Sequence, residues 1–252
     1  MKKNLNPKLK GKKVAAIIAA RMNSKRMYGK PMKLIIGKPI IEHVVERVRK
    51  LKNVNQIIIA TSDKKENKVF IEFAKKMKAD YFVGDEEDVL GRYVECIKKF
   101  GVDVLLRLTS ENPLFYLERL DEFIEEHIKK GYDFSYAVKL PLGCIVEIIN
   151  ADVLIKSHEL GEKKHKSELV TSFINDNKDM FKIKEYELDK ELNKPYIRLT
   201  IDTEKDLELA NILFENIKKD IIKVRDVIEF LDKHPEYIKI NSDLPVGTSR
   251  IW

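Results

Sequence analysis

The chain has 252 residues, 44% of them apolar, which is enough to build the core of one large domain or two small ones. Lysine and arginine total 48 against 41 acidic residues, giving a net charge of +7. The two signs are mixed along the chain, which is typical of solvated helix faces and argues against a nucleic-acid partner. Two distant cysteines argue against a disulfide framework or zinc site and favour the cytoplasm, and the absence of a long apolar run argues against a membrane span.

Short apolar runs alternate with helical patterns along the first half of the chain. In chain order, we expect strand 14–20, helix 39–51, strand 56–62, helix 66–78, strand 81–84, helix 87–100, strand 102–110 and helix 116–131. Gly131 is expected to end the last of these helices. This alternation predicts an α/β fold with a parallel sheet covered by helices on both faces.

The second half of the chain is less regular. It predicts strand 145–150, helices 151–160 and 166–176, strands 181–188 and 196–202, helix 204–217, and a final helix that begins at 224 and ends near Pro235. No Gly/Ser-rich linker divides the chain, so we expect one domain. Its predicted parts are a polar lead-in at 1–12, a domain at 13–241 with an extension at about 138–196, and a tail at 242–252.

The loop after the first strand gathers positive charge. Its sequence, "AARMNSKRMYGKPM" at 19–32, carries Arg21, Lys25, Arg26 and Lys30. Ligands of parallel sheets bind at the carboxyl ends of the strands, where fixed cations and backbone N–H groups suit a polyphosphate. The loop has neither the P-loop pattern nor the glycine pattern of dinucleotide sites. On charge alone, it fits a solvated basic loop as well as a phosphate site.

Motifs carry the argument further. "IIAARMNSKRMYGKPM" matches, at Arg21, Ser24, Arg26 and Lys30, a pattern that runs A-R-x-x-S-x-R-[LM]-x-x-K after an apolar strand. Seven further segments match in order: "EHVVERV", "IIIATSD", "DVLGRY", "RLTSENPL", "VEII", "RLTIDTEKDLE" and "HPEYIKIN". The chain thus resembles, over 14–241, the acylneuraminate and 3-deoxy-manno-octulosonate cytidylyltransferases, above all their smaller relatives, the spore-coat polysaccharide biosynthesis protein F group.

This resemblance implies a Rossmann-like sheet of the nucleotide-diphospho-sugar transferase type and transfer of a cytidylyl group from CTP, with Mg²⁺ as cofactor. Arg21, Arg26 and Lys30 would clamp the triphosphate as catalytic residues, while Ser24 and the backbone at Ala19 and Ala20 would add hydrogen-bond donors.

Four more residues would lie beside the nucleotide. Thr61 and Asp63 lie at the end of the second strand, where the alternative is a turn and helix cap. Asp88 and Arg92 lie four positions apart, where the alternative is an ion pair along a helix.

Two carboxylates at strand ends form the implied metal site. Relatives carry Gly-Asp where this chain has Ser110-Glu111, so Glu111 keeps the charge on a longer side chain. Asp202 is the second implied ligand, and its alternative role is an N-cap of the next helix. Two adjacent carboxylates favour a cation between them.

The acceptor region departs from the family. Relatives read P-D-G-x-D-V-E, whereas here Leu142 and Ile145 replace both aspartates before Glu147. Lysines and histidines lie nearby in the extension, and Arg198 lies on the predicted strand 196–202. We expect Arg198 and Glu147 to bind an anionic small-molecule acceptor and the chain to form a homodimer. The alternatives are a guanylyl- or uridylyltransferase for a sugar phosphate and a degenerate nucleotide-binding module.

Overall fold

The computed structural model describes residue 9 and residues 11–244. The predicted lead-in at 1–12 and tail at 242–252 therefore fall largely outside the described residues. Within that described part of the chain, no helix combines the length and apolar character of a membrane span. Cys96 and Cys144 are both buried and free.

A seven-stranded sheet forms the centre of the molecule. The strands of the chain are β1 (Val14–Ala19), β2 (Leu34–Ile35), β3 (Lys38–Pro39), β4 (Gln56–Ser62), β5 (Asp80–Gly84), β6 (Val104–Thr109), β7 (Phe134–Ala137), β8 (Glu147–Asn150) and β9 (Ile183–Tyr186). The sheet order is β5-β4-β1-β6-β8-β7-β9, and β2 and β3 form a separate hairpin. Of the paired strands in this sheet, only β8 runs against its neighbours. The predicted mostly parallel α/β fold is confirmed.

Helices cover the sheet. They are α1 (Ile40–Val48), α2 (Lys68–Lys76), α3 (Val89–Phe100), α4 (Leu120–Lys130), α5 (Ala151–Leu160), α6 (Ser172–Asp176), α7 (Glu204–Asn216) and α8 (Val224–Lys233). The apolar residues of α1 recur with helical periodicity, and the face that they form is buried in the core. Gly131 ends α4 in the left-handed conformation with φ 63, as predicted. Both features follow directly from the local sequence.

The segment 196–202 is not a strand, and that prediction is wrong. It makes one isolated bridge, between Arg198 and Leu142. Leu142 N donates to Ile197 O and Leu199 N donates to Leu142 O, each at 2.8 Å, and Ile201 N donates to Glu111 O at 3.1 Å. The backbone groups of this alternating segment therefore bond to two loops instead of to a neighbouring strand. The segment crosses the carboxyl edge of the sheet without joining it.

Three further differences concern the second half and the first hairpin. The predicted helix 166–176 is reduced to α6, preceded by a 3₁₀ turn at Lys163–His165. Strand β7 and the β2–β3 hairpin were not predicted. β7 is short and buried, so it lacks the alternation that marks an exposed strand.

Candidate active site

The carboxyl ends of β1, β4 and β6 lie side by side and form the floor of a crevice. Pairing continues past the ends of the strands, because Ala20 N donates to Ala60 O at 3.0 Å and Ser110 N donates to Ala19 O at 3.1 Å. These bonds hold the three following loops in register. Ala19 and Ala20 thus position the basic loop, and their contact with nucleotide remains a prediction.

The basic loop is closed on itself and tied to β4. Gly29 N donates to Met22 O, and Met22 N donates to the side chain of Asn67, each at 2.8 Å. The amide group of Asn67 also donates to Ser62 Oγ at 2.7 Å. Asn67 is 1% exposed, and sequence reasoning missed it because a single polar residue before a helix resembles an ordinary surface position.

The centre of the crevice is a cluster of opposite charges. Lys30 Nζ lies 2.7 Å from Asp202 Oδ1 and 3.6 Å from Glu111 Oε1. Arg26 Nη2 lies 3.0 Å from Asp202 Oδ1, and Arg198 Nη2 lies 2.9 Å from Asp202 Oδ2. Asp202 therefore faces three cations, and both predicted metal ligands share one ammonium group. The structure brings together residues from the first and last parts of the chain, as the motifs predicted.

Arg21 and Ser24 lie at the outer side of the same loop. Arg21 is exposed, and its Nη2 lies 2.5 Å from Glu168 Oε2 of the opposite loop. Ser24 is half-buried. An exposed pair of this kind contributes little to stability, so Arg21 is available to a charged ligand at small cost. Its role in triphosphate binding remains a prediction.

Thr61, within the last paired residues of β4, and Asp63, directly after that strand, lie in different environments. Thr61 is fully buried, and its hydroxyl has no hydrogen-bond partner among the described residues. Asp63 is exposed, and the 3₁₀ turn that follows has Lys64 as its N-cap residue, without a side-chain cap. The capping alternative is therefore not what the structure shows.

Asp88 and Arg92 do not form the ion pair that was the alternative to nucleotide binding. Asp88 caps α3 by accepting from Gly91 N at 2.7 Å, and its other oxygen lies 2.7 Å from His158 Nε2. Arg92 donates to the carbonyl oxygens of Asp85 and Glu86 at 2.9 and 3.1 Å. Both side chains thus shape the turn that precedes α3.

The side of the crevice formed by β6 and β8 contains a buried ion pair. Arg107 Nη1 lies 2.7 Å from Glu147 Oε2, and Thr171 Oγ1 donates to Glu147 Oε1 at 3.0 Å. Burial lowers the pKa of Arg107, but the nearby Glu147 carboxylate, its hydrogen bond and the Tyr93 hydroxyl together outweigh burial and raise that pKa. Both oxygens of Glu147 are engaged, so its predicted contact with the acceptor would require rearrangement. Arg107 is a second missed residue. It begins the motif "RLTSENPL", but its only chemical signal is one charge inside an apolar strand.

Arg198 does not lie on a strand, contrary to the expectation that placed it against the acceptor. Its side chain is 5% exposed and engages Asp202 and Asp206. The ion pairs of Lys139 with Glu187 and of Lys164 with Asp176 also offset the expected positive charge of the extension.

A family model described as cytidylyltransferase matches residues 15–229. The chain belongs to the cytidylyltransferase family. It is accordingly a nucleotidyltransferase, and the resemblance found in the sequence is confirmed.

Two relatives and one solved structure extend this assignment. An uncharacterized protein of Methanocaldococcus jannaschii is 34% identical over 92% of this chain and 96% of the relative. The spore coat polysaccharide biosynthesis protein SpsF of Bacillus subtilis is 31% identical over 87% of this chain and 94% of the relative. A cytidylyltransferase structure from Leptospira borgpetersenii superposes with a TM-score of 0.84 at 25% identity, covering 90% of this chain and 97% of that one.

The cytidylyltransferase fold raises the question of whether Glu111 and Asp202 could hold Mg²⁺. Among the described residues, no three His, Cys, Asp or Glu side chains cluster as a metal site. Mg²⁺ in nucleotide enzymes usually takes only one or two carboxylates, with phosphate and water oxygens completing the shell. Glu111 and Asp202 already converge on one cation, Lys30 Nζ. This donor set fits Mg²⁺ bound together with a triphosphate.

Proposed function

We propose that the chain is a Mg²⁺-dependent cytidylyltransferase that activates an anionic small molecule with CTP. An acceptor oxygen forms a bond to the α-phosphorus, the bond from that phosphorus to the bridging oxygen breaks, and pyrophosphate leaves with that electron pair. A sugar acid hydroxyl would lose its proton and give a CMP derivative, whereas a phosphorylated acceptor would give a CDP derivative.

The observation that carries this proposal is the meeting of Arg26, Lys30 and two carboxylates at the carboxyl edge of the sheet. Arg26 and Lys30 would hold the triphosphate and stabilise charge on the departing pyrophosphate, which is the main protein contribution to such reactions. Glu111 and Asp202 would hold the metal. Bound Mg²⁺ would neutralise phosphate charge and polarise the attacked group.

An anionic acceptor is supported by Arg107. Its side chain is 12% exposed, donates to the Glu168 carbonyl at 3.2 Å and would lie beside the acceptor, which would share the guanidinium with Glu147. The nearby replacement of two family aspartates by Leu142 and Ile145 removes negative charge from the same side. Attraction to a carboxylate or phosphate is therefore favoured over binding of a neutral polyol.

The product would serve surface-glycan or related polymer synthesis, a proposal supported by the name of the Bacillus subtilis relative. We further propose a cytoplasmic homodimer. Light scattering coupled to size-exclusion chromatography tests the dimer directly, since a monomer mass across a range of concentrations contradicts it.

Pyrophosphate release tests the function. The protein is incubated with each of the four ribonucleoside triphosphates, Mg²⁺ and a panel of sugar acids, phosphorylated polyols and neutral polyols. We expect release with CTP and anionic acceptors, dependent on divalent metal. Faster release with GTP or UTP and a sugar phosphate would establish the alternative base, and binding of nucleotide without release from any combination would indicate a binding module.

A further inference from the structure

The C-terminal motif "HPEYIKIN" ends at Asn241, a residue that the proposed reaction does not use. Asn241 is 2% exposed. Its side-chain amide donates to Arg198 O at 3.1 Å and to Asp206 Oδ1 at 2.9 Å. The motif therefore attaches the end of the described chain to the segment that carries Asp202.

Asp206 is the centre of this attachment. Its Oδ2 accepts from the backbone N–H groups of Asp202 and Thr203 at 3.0 and 2.9 Å. The second of these bonds belongs to the capping box that begins α7. Its Oδ1 accepts from Arg198 Nε at 2.8 Å as well as from Asn241. The capping box requires only Oδ2 of Asp206, and Oδ1 therefore has a different role.

That second use concerns the direction of the Asp202 carboxylate. Arg198 is bound through Nε by Asp206, and its Nη2 reaches Asp202 Oδ2 at 2.9 Å. Asp202 Oδ1 is thereby left on the side of Lys30 and Arg26. Asp206 consequently controls Asp202 by two routes: it fixes the main chain directly and the side chain through Arg198.

We propose that Arg198, Asp206 and Asn241 are positioning residues that hold Asp202 with Oδ1 directed into the crevice. The expected effects on kinetics rest on the proposed function, whereas the arrangement of these residues around Asp202 does not. It also replaces the acceptor contact expected for Arg198. Partners that orient a metal-binding or catalytic carboxylate typically matter by about 10- to 100-fold in activity or metal affinity.

The experiment compares Asp206→Asn, Arg198→Lys and Asn241→Ala with the control Asp226→Asn. Asp226 occupies the same capping-box position at the start of α8, where its oxygens bind Lys219 Nζ at 2.6 Å and Lys223 N at 2.8 Å. The control therefore reproduces the loss of a capping carboxylate away from the crevice. Circular dichroism and thermal unfolding identify the variants that fold. If Asp206→Asn does not fold, Arg198→Lys and Asn241→Ala still test the proposal.

We expect kcat to fall by about 10- to 100-fold in the folded variants and Mn²⁺ affinity, measured by electron paramagnetic resonance with CTP present, to fall by about 10-fold. The KM for CTP and for acceptor should change by less than about threefold, since the substrate contacts remain. A rise in acceptor KM alone for Arg198→Lys, or equal losses in Asp206→Asn and Asp226→Asn, overturns the proposal.

A crystal structure of Asn241→Ala or Arg198→Lys separates this inference from the proposed function. We expect the Asp202 carboxylate to rotate and its contact with Lys30 to lengthen, whether or not the protein turns over CTP. An Asp202 carboxylate that stays within about 0.5 Å of its place in both variants shows that the three residues do not position it. Failure of the wild-type protein to release pyrophosphate would instead contradict the function alone.

Discussion

Lys30 and Asp202 stand 172 positions apart in sequence, yet their Nζ and Oδ1 atoms are 2.7 Å apart. Their side chains are 8% and 10% exposed. A charge buried to this degree is stable only with a partner, because loss of hydration must be offset by a close opposite charge. The basic loop and the segment before α7 therefore form one unit of structure.

Replacement of Lys30 by alanine should reduce kcat/KM for CTP by the equivalent of about 2–4 kcal/mol, as expected for loss of a charge-assisted contact in a closed site. Arg21→Ala should reduce kcat/KM similarly but leave the thermal midpoint unchanged, because its pair with Glu168 is exposed. Steady-state kinetics and thermal unfolding measure both effects.

The control for the variants Lys30→Ala and Arg21→Ala is Lys25→Ala. Lys25 lies in the same loop, is exposed and occupies a variable place in the motif. It should leave kcat/KM within about twofold of wild type, in keeping with a solvated charge. Equal losses in all three variants would show that the loop acts only as a basic surface.

Asp202→Asn should abolish metal-dependent turnover, because the amide cannot supply the second anionic oxygen ligand. Loss of attraction to three cations should also lower stability by roughly 1–3 kcal/mol. Glu111→Asp should retain activity, since it restores the residue type of the relatives. Mg²⁺ titrations of initial rate measure both variants, and full activity in Asp202→Asn would contradict the two-carboxylate site.

Gly143→Ala should lower activity strongly. Gly143 has φ 92, and a Cβ at this position would lie 2.6 Å from Thr200 N, two residues before Asp202. In the alanine variant the segment 196–202 must move away from the 141–144 turn, and the Asp202 carboxylate moves with that segment. Displacements of about 1 Å in such a site cost on the order of 100-fold in kcat.

Gly131→Ala is the matched control for that change. Gly131 also has positive φ, at 63, but nothing lies within 4 Å of its would-be Cβ. It should lose about 1 kcal/mol of stability from the backbone conformation and keep wild-type kcat. If both glycine variants behave alike, close approach to Thr200 is irrelevant to the site.

His127 predicts a pH dependence of stability outside the crevice. Burial lowers its pKa to about 4 from the ordinary 6.5, even though Asn150 hydrogen-bonds the ring. Between pH 6.5 and 4 the unfolded chain therefore binds a proton that the folded chain excludes. The free energy of unfolding should fall across this window as the solution becomes more acidic, by up to about 3 kcal/mol.

Urea unfolding at several pH values, compared between wild type and His127→Gln, measures this contribution. The variant should lose less stability than wild type between pH 6.5 and 4. His234→Gln is the control, because His234 is largely exposed. Parallel pH curves for wild type and His127→Gln would show that His127 is not the source.

The sequence predicted the fold of the first half of the chain well, for physical reasons. Its strands are short, apolar and separated by amphipathic helices, so local pattern and tertiary environment agree. Residues that carry fixed charge after those strands are placed in one crevice by the parallel topology alone. The approach of Lys30 to Glu111 is the clearest case. Asp202 instead reaches the crevice on the segment 196–202, which is bonded to two loops.

The second half of the chain was less predictable because its structure depends on contacts between residues that are distant in sequence. The segment 196–202 has strand-like alternation, but Leu142 and Glu111 supply its partners from two loops. Asn67 carried no local signal and Arg107 only that of one charge inside an apolar strand, since their partners lie 45 and 40 positions away. Burial of Glu147 against Arg107 likewise depends on the register of β6 with β8.

The bonds that join Gly29 to Met22 and Met22 to Asn67 have a consequence for ligand affinity. Ordering the backbone of a mobile loop costs roughly 1–2 kcal/mol of conformational entropy per residue. Here the basic loop is ordered when the protein folds, so a bound triphosphate need not restrain it. More of the attraction between phosphate and cations then remains as net affinity.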